Sequence, residues 1–164
     1  SNTTDRLLHL GGGTGDLKEL IANYGTAFKG FRYSRKRHPV MILVDNDSGA
    51  QPVYSAIKTA TRSKSAIDGS LPYYHVGDNL YVVPVPKQGG KDTAIEDFFD
   101  SWVLDIKLGG KGFSRDDKFD PATQYGKHLF AEHVVKKKKD SINFDGFEPV
   151  LDRIVQVLGD HSSK

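Results

Sequence analysis

Val40-Met41-Ile42-Leu43-Val44-Asp45-Asn46-Asp47-Ser48-Gly49 is the stretch from which the rest of the chain is read. Five consecutive apolar residues are what a central strand of a parallel sheet shows when both its faces are covered. The run stops at two carboxylates and a pair of turn formers. In parallel α/β sheets, ligands gather outside the carboxyl ends of the strands, so Asp45 and Asp47 stand where a site is expected. Their oxygens suit a hard cation, Mg²⁺ or Mn²⁺, rather than a soft one. The competing reading of the same residues is a turn whose aspartates cap the next helix.

Upstream, Leu7 to Leu10 reads as a short strand entering Gly11-Gly12-Gly13-Thr14-Gly15. A helix follows with Leu17, Leu20, Ile21 and Tyr24 on one face. Downstream the spacing predicts a helix over 51–61, a loop over 62–70, and strands over 73–76 and 80–85 joined at Gly77-Asp78-Asn79. A glycine loop at 87–91 leads to a helix around 94–99. A small hairpin over 104–113 turns at Gly109-Gly110, and helices are expected over 122–135 and 144–158. Strands alternating with helices predict an α/β fold, a mostly parallel sheet flanked by helices with a small hairpin insertion. No internal repeat stands out.

The chain has 164 residues with 37% hydrophobic and 27% charged, a composition that folds as a globule. Residues 1–6 are read as an unstructured start, with Ser1-Asn2 a remnant of tag removal, and residues 7–160 as a single domain. Without cysteine there is no disulfide framework and no thiolate metal site. A cytoplasmic setting is expected, and no apolar run reaches the roughly 20 residues of a bilayer span. The net charge of +2 argues little by itself, but its distribution is uneven. From Lys29 to His38 the chain carries five Lys or Arg residues and no acidic one, interleaved with Phe31 and Tyr33. Arg32, Arg35, Lys36 and Arg37 are therefore candidates for contacts to nucleic-acid phosphates, with the aromatics free to stack on bases. Lys136 to Lys139 form a second basic run; a solvated face explains either run equally well.

Other signals are weaker alone. Glu96 and Asp97 open a predicted helix, where acidic residues suit the macrodipole. Lys127 stands early in another. Residues 11–16 lack the Gly-Lys-Ser/Thr ending of a phosphate-binding loop, and Asp16 occupies the third glycine of a dinucleotide fingerprint, so nucleotide-binding α/β folds are disfavoured. His128, Glu132 and His133 do not have the spacing of a zinc helix.

Taken in order, Leu10-Gly-Gly-Gly-Thr-Gly-Asp-Leu-Lys18, Val44-Asp-Asn-Asp-Ser-Gly49, Leu80-Tyr-Val-Val83, Ile95-Glu-Asp-Phe-Phe99, Leu104-Asp-Ile-Lys107 and Tyr125-Gly-Lys-His-Leu-Phe130 form a set. The set resembles the C-terminal Toprim extension found on some retron reverse transcriptases, over about residues 7–147. Within the wider Toprim class it is most similar to the overcoming-lysogenization-defect nucleases. The resemblance implies a Toprim-like, Rossmann-like sheet. It implies that Asp45 and Asp47 bind Mg²⁺, that Glu96 is a ligand for a second metal and a catalytic residue, and that Lys127 stabilises charge building on the phosphate. It also implies Mg²⁺-dependent phosphodiester processing of DNA or RNA in a longer RNA-directed DNA polymerase, acting on reverse-transcribed DNA or on invading nucleic acid in antiviral defence.

Two departures matter. The family's Glu-Gly-x-x-Asp motif, on the strand that should precede Leu7, is missing; the four glutamates are Glu19, Glu96, Glu132 and Glu148, and none precedes glycine. Ala94 also stands where the nuclease branch has serine. The expectation is a chain inactive by itself, with a sheet edge open to self-association and an upstream polymerase domain as partner. The alternative is a non-catalytic module that binds nucleic acid or protein.

Overall fold

A computed structural model describes residues 14–29, 37–116 and 118–163. They form two compact units, one ending at Ala94 and resuming at Pro149, the other spanning Ile95–Glu148. The predicted strand at 7–10 lies outside the described residues.

In the first unit the elements are α1 (Thr14–Lys29), β1 (Val40–Val44), α2 (Gln51–Thr61), β2 (Tyr74–Gly77), β3 (Leu80–Pro84) and α6 (Glu148–Ser162). The strand order is β1-β3-β2. β1 runs parallel to β3, with Val40 opposite Leu80 and Val44 opposite Pro84, while β2 is antiparallel to β3. The described sheet is therefore mixed, and β1 is an outer strand among the described residues.

β3 explains why the unit has two apolar layers. Its five residues are all buried, and a strand's side chains alternate between faces. Leu80 and Val82 join Ile21 and Tyr24 of α1 and Val53 and Ile57 of α2. Tyr81 and Val83 pack with Val157 of α6. Full burial of each such aliphatic side chain contributes roughly 1.5–3 kcal/mol. The Tyr81 hydroxyl also lies 3.4 Å from His161 Nδ1 near the end of α6. At the start of the strands, buried Asn79 receives the Tyr24 hydroxyl at 3.0 Å and donates to His38 O at 2.7 Å. No helix of the described residues is long and apolar enough to cross a membrane.

The second unit departs further from the sequence pattern. The helix expected over 94–99 is a 3-10 turn, Ile95–Phe98, followed by the one-turn α3 (Ser101–Leu104). The Gly109-Gly110 turn forms, but its hairpin is a single bridge between Leu108 and Lys111. The chain then enters β4 (Gly112–Phe113), which pairs in parallel with β5 (Gln124–Tyr125). The helix expected from 122 begins only at Lys127. Asp120 is the reason: its carboxylate accepts from Ala122 N and from the Thr123 hydroxyl, stabilising a turn instead. α4 (Lys127–Leu129) then passes into a π segment (Phe130–Val135) and α5 (Lys136–Lys138). The last helix starts with a 3-10 turn and runs to Ser162, beyond the expected 158. The core of this unit is Val103, Tyr125, Phe130, Val134 and Ile142, with Phe113 stacked on Phe130 at 4.3 Å.

Burial, reinforced by the charge of Asp78, pushes the Tyr24 hydroxyl from 10.0 up to about 12, and burial raises Tyr54 as well. The fold thus holds protons that the unfolded chain releases first, so this contribution is complete below pH 10 and is lost as pH rises through 12. The urea midpoint should be steady to about pH 10 and fall above it, with a shallower fall in Tyr24→Phe.

Candidate functional site

The alternation of β1 continues past its end. Ile42, Val44 and Asn46 are buried, whereas Leu43 is exposed and Asp45 and Asp47 are only partly covered. An extended backbone at Asp47 and a bridge from Asn46 to Thr93 maintain this period of two. The two carboxylates therefore share one side of the chain and Asn46 takes the other.

Asn46 is 1% exposed, and both its amide nitrogen and its amide oxygen are hydrogen-bonded. Nδ2 donates to Gly69 O and Val85 O, each at 3.0 Å, and Oδ1 accepts the Tyr54 hydroxyl at 2.9 Å. Its backbone pairs both ways with Thr93, at 2.8 and 3.2 Å. Gly69 closes the arrangement: its N–H donates to the Tyr74 hydroxyl at 2.9 Å. With φ at +78°, a Cβ there would sit 2.2 Å from Asn46 Oδ1, so only glycine fits. One side chain thus ties together the ends of β1 and β3, helix α2 and the 62–73 loop. Arg153 of α6 adds a second tie, donating from Nη1 to Pro84 O at 2.8 Å and Leu71 O at 3.3 Å. Its burial lowers the guanidinium pKa, an effect opposed by Tyr54 and Tyr74 nearby.

Asp47 has a structural task too. Its Oδ1 accepts from Gly49 N at 2.8 Å and caps the 3-10 turn Ser48–Ala50 that precedes α2. The capping and metal-binding readings are compatible, because a carboxylate has further lone pairs. Mg²⁺ is commonly held by one or two carboxylates, with water and phosphate oxygens completing its shell. Asp45 and Asp47 fit that donor set. Among the described residues no group of three or more His, Asp or Glu side chains converges.

In the second unit the chain brings Glu96 and Lys127 together, far apart in sequence. Lys127 Nζ lies 3.2 Å from Glu96 Oε2. The Glu96 side chain is 10% exposed and that of Lys127 37%. Oε2 is buried without a hydrogen bond, so charge proximity rather than hydrogen-bond geometry holds the pair. Beside it Asp97 is ion-paired with Arg115. Lys127 also lines a cleft of about 280 Å³ with Phe119, Gly126, His128 and Leu129. A larger cleft of about 470 Å³ lies in the first unit at the opposite edge of the sheet from Asp45, beside Tyr24, Gly77 and Leu80. Of the basic candidates, Arg37 is exposed, and Arg32, Arg35 and Lys36 lie outside the described residues.

Sequence reasoning missed Asn46, Gly69, Thr93 and Arg153. A polar residue in the buried phase of an alternating strand was the available signal for Asn46. No family model matches the chain, and no solved structure matches it to a significant degree.

Asn46→Ala leaves the Tyr54 hydroxyl and two buried carbonyls without partners, so a loss of about 3 kcal/mol is expected in urea unfolding. Lys127→Met strands a buried carboxylate, yet the ammonium is partly solvated. The expected loss is about 1–2 kcal/mol, below the 3–5 typical of fully buried pairs. Adding Glu96→Gln to Lys127→Met should recover most of it, and a double-mutant cycle measures the coupling.

Proposed function

We propose that this chain is a Toprim-type domain carried by a retron reverse transcriptase, with Asp45 and Asp47 as its metal-holding carboxylates, that serves divalent-metal-dependent phosphodiester processing in the longer protein and is inactive by itself. The observation that supports this most is the position of the two aspartates. They share one partly covered side of the chain at the carboxyl end of β1, on a turn held by the Asn46 bonds. Such a site needs carboxylates held in fixed geometry, and the Asn46 bonds supply that geometry before any ligand arrives.

In this reading Asp45 and Asp47 hold Mg²⁺ or Mn²⁺. A bound divalent cation polarises a phosphate oxygen and favours attack by water. Asp47 keeps its turn closed through Gly49 and has further lone pairs to offer a cation. Glu96 and Lys127 carry the roles that the sequence resemblance assigns them, a further carboxylate and a cation that offsets charge on the phosphate. DNA or RNA is the substrate, and the polymerase activity belongs to a domain upstream. The outer position of β1 supports a further strand pairing there, from a second copy or from the chain's own N-terminal segment.

A second reading, a binding module without catalysis, is favoured by one observation. Lys127 and Glu96 neutralise each other, which leaves less free charge for a reaction.

Calorimetric titration with Mn²⁺ and Mg²⁺ separates the two. Under the first reading Asp45→Ala/Asp47→Ala weakens binding at least tenfold while circular dichroism stays unchanged. Equal binding by wild type and the double variant would sink it.

A further inference from the structure

Lys87-Gln88-Gly89-Gly90-Lys91 and Lys107-Leu108-Gly109-Gly110-Lys111 share the pattern Lys-x-Gly-Gly-Lys, a recurrence too short to be taken for a structural repeat. The two copies fold alike. Each closes with an antiparallel bridge, Gln88 to Lys91 and Leu108 to Lys111. The glycine φ angles are +59° and +75° in the first, +57° and +83° in the second. Positive φ at both central residues defines a tight two-residue turn that Asn-Gly would satisfy as well as Gly-Gly. A Cβ at any of the four glycines would meet nothing within 4 Å. Internal packing therefore does not require a bare tip, and what lies beyond each tip is open space.

Lysine flanks the tip on both sides, twice. Lys87, Lys91 and Lys107 are exposed, and Lys111 is half-buried with Nζ donating to Pro121 O. Lys87 lies 3.9 Å from Asp92, a loose pair between solvated side chains. A backbone stripped of side chains and bracketed by ammonium groups suits a sugar-phosphate chain. Glycine permits close approach, and each lysine displaces a counterion from a phosphate.

The first turn is also fixed to the candidate metal edge. Thr93 Oγ1 accepts from Gln88 N at 3.0 Å and donates to Lys91 O at 2.9 Å. The backbone of the same Thr93 pairs with Asn46, between the two aspartates. The root of the turn and the carboxylate motif are thus one hydrogen-bonded piece.

We propose that each Lys-x-Gly-Gly-Lys turn, within its own unit, is a phosphate-backbone contact for nucleic acid, the Lys87–Lys91 turn gripping a strand beside Asp45 and Asp47. This rests on the nucleic-acid part of the function proposed above, but not on cleavage. The test is fluorescence anisotropy of the full chain with labelled single strands of DNA and RNA and a DNA duplex, in EDTA, over a range of salt. Lys87→Ala/Lys91→Ala should weaken binding about tenfold or more and flatten the plot of log K against log salt by roughly 0.7 per lysine for single strands and 0.9 for duplex. Lys107→Ala should flatten it by one such increment. Gly89→Asn keeps the turn but covers its tip, and should weaken binding with the salt slope unchanged. If wild type binds and all three variants match it in affinity and slope, the proposal is overturned while the metal site stands. If wild type binds none of the probes, the nucleic-acid reading falls and takes the proposal with it. Loss of metal binding in Asp45→Ala/Asp47→Ala with normal strand binding would leave this proposal supported.

Discussion

The carboxyl end of the parallel strands in the first unit depends on one buried amide, that of Asn46. Leaving a buried polar group unpaired costs about 1–3 kcal/mol, so Asn46 is tolerable because its amide nitrogen donates twice and its amide oxygen accepts a hydrogen bond. Those partners come from α2, from the loop before β2 and from the end of β3. Their demands dictate neighbouring residues: glycine at 69, a hydroxyl at Tyr54, a backbone partner at Thr93. The placement of Asp45 and Asp47 on the partly covered side is the same fact seen from the other side of the strand. A residue that turns inward at 46 obliges its neighbours to turn outward.

The opposite end of the parallel strands is built on similar lines. Asn79 is 5% exposed. It links the turn before β3 to Tyr24 of α1 and to the segment leading into β1, and its carbonyl accepts from Val40 N at 2.7 Å. Two buried asparagines thus hold the two ends of the parallel pair, and the valines and leucines fill what lies between. The second unit uses charge instead. Glu96 is kept in place by an ammonium without hydrogen-bond geometry, an arrangement more sensitive to the loss of one partner than to the loss of both.

Most of the first unit was legible in the sequence, because its elements are long or strongly patterned. The apolar run at 40–44, the helical period at 51–61 and the Gly77-Asp78-Asn79 turn each have one good local solution. The second unit was harder, since its elements are too short for periodicity to speak. Ala122 to Gln124 has helical composition, but Asp120 offers the local backbone a better set of bonds. Phe98 and Phe99 fall within the helix expected around 94–99, and are instead part of an aromatic cluster with Phe147. At the site, the aspartates drew attention because carboxylates after an apolar strand are chemically conspicuous. Asn46 did not, because its importance lies in partners that no spacing in the sequence reveals. Glu96 and Lys127 were linked by resemblance alone; their proximity follows from tertiary packing.

The chain order has a consequence for how the protein is made. From Pro149 onward α6 belongs to the first unit, yet it is encoded after the whole of the second. On a ribosome, β1, β2 and β3 can assemble on α1 and α2 while Tyr81 and Val83 still face water. The other side of the sheet stays uncovered until Val157 has been synthesised. An apolar sheet surface waiting that long is a natural target for a chaperone. Truncation anywhere before α6 would thus release a polypeptide prone to aggregation rather than a smaller working domain.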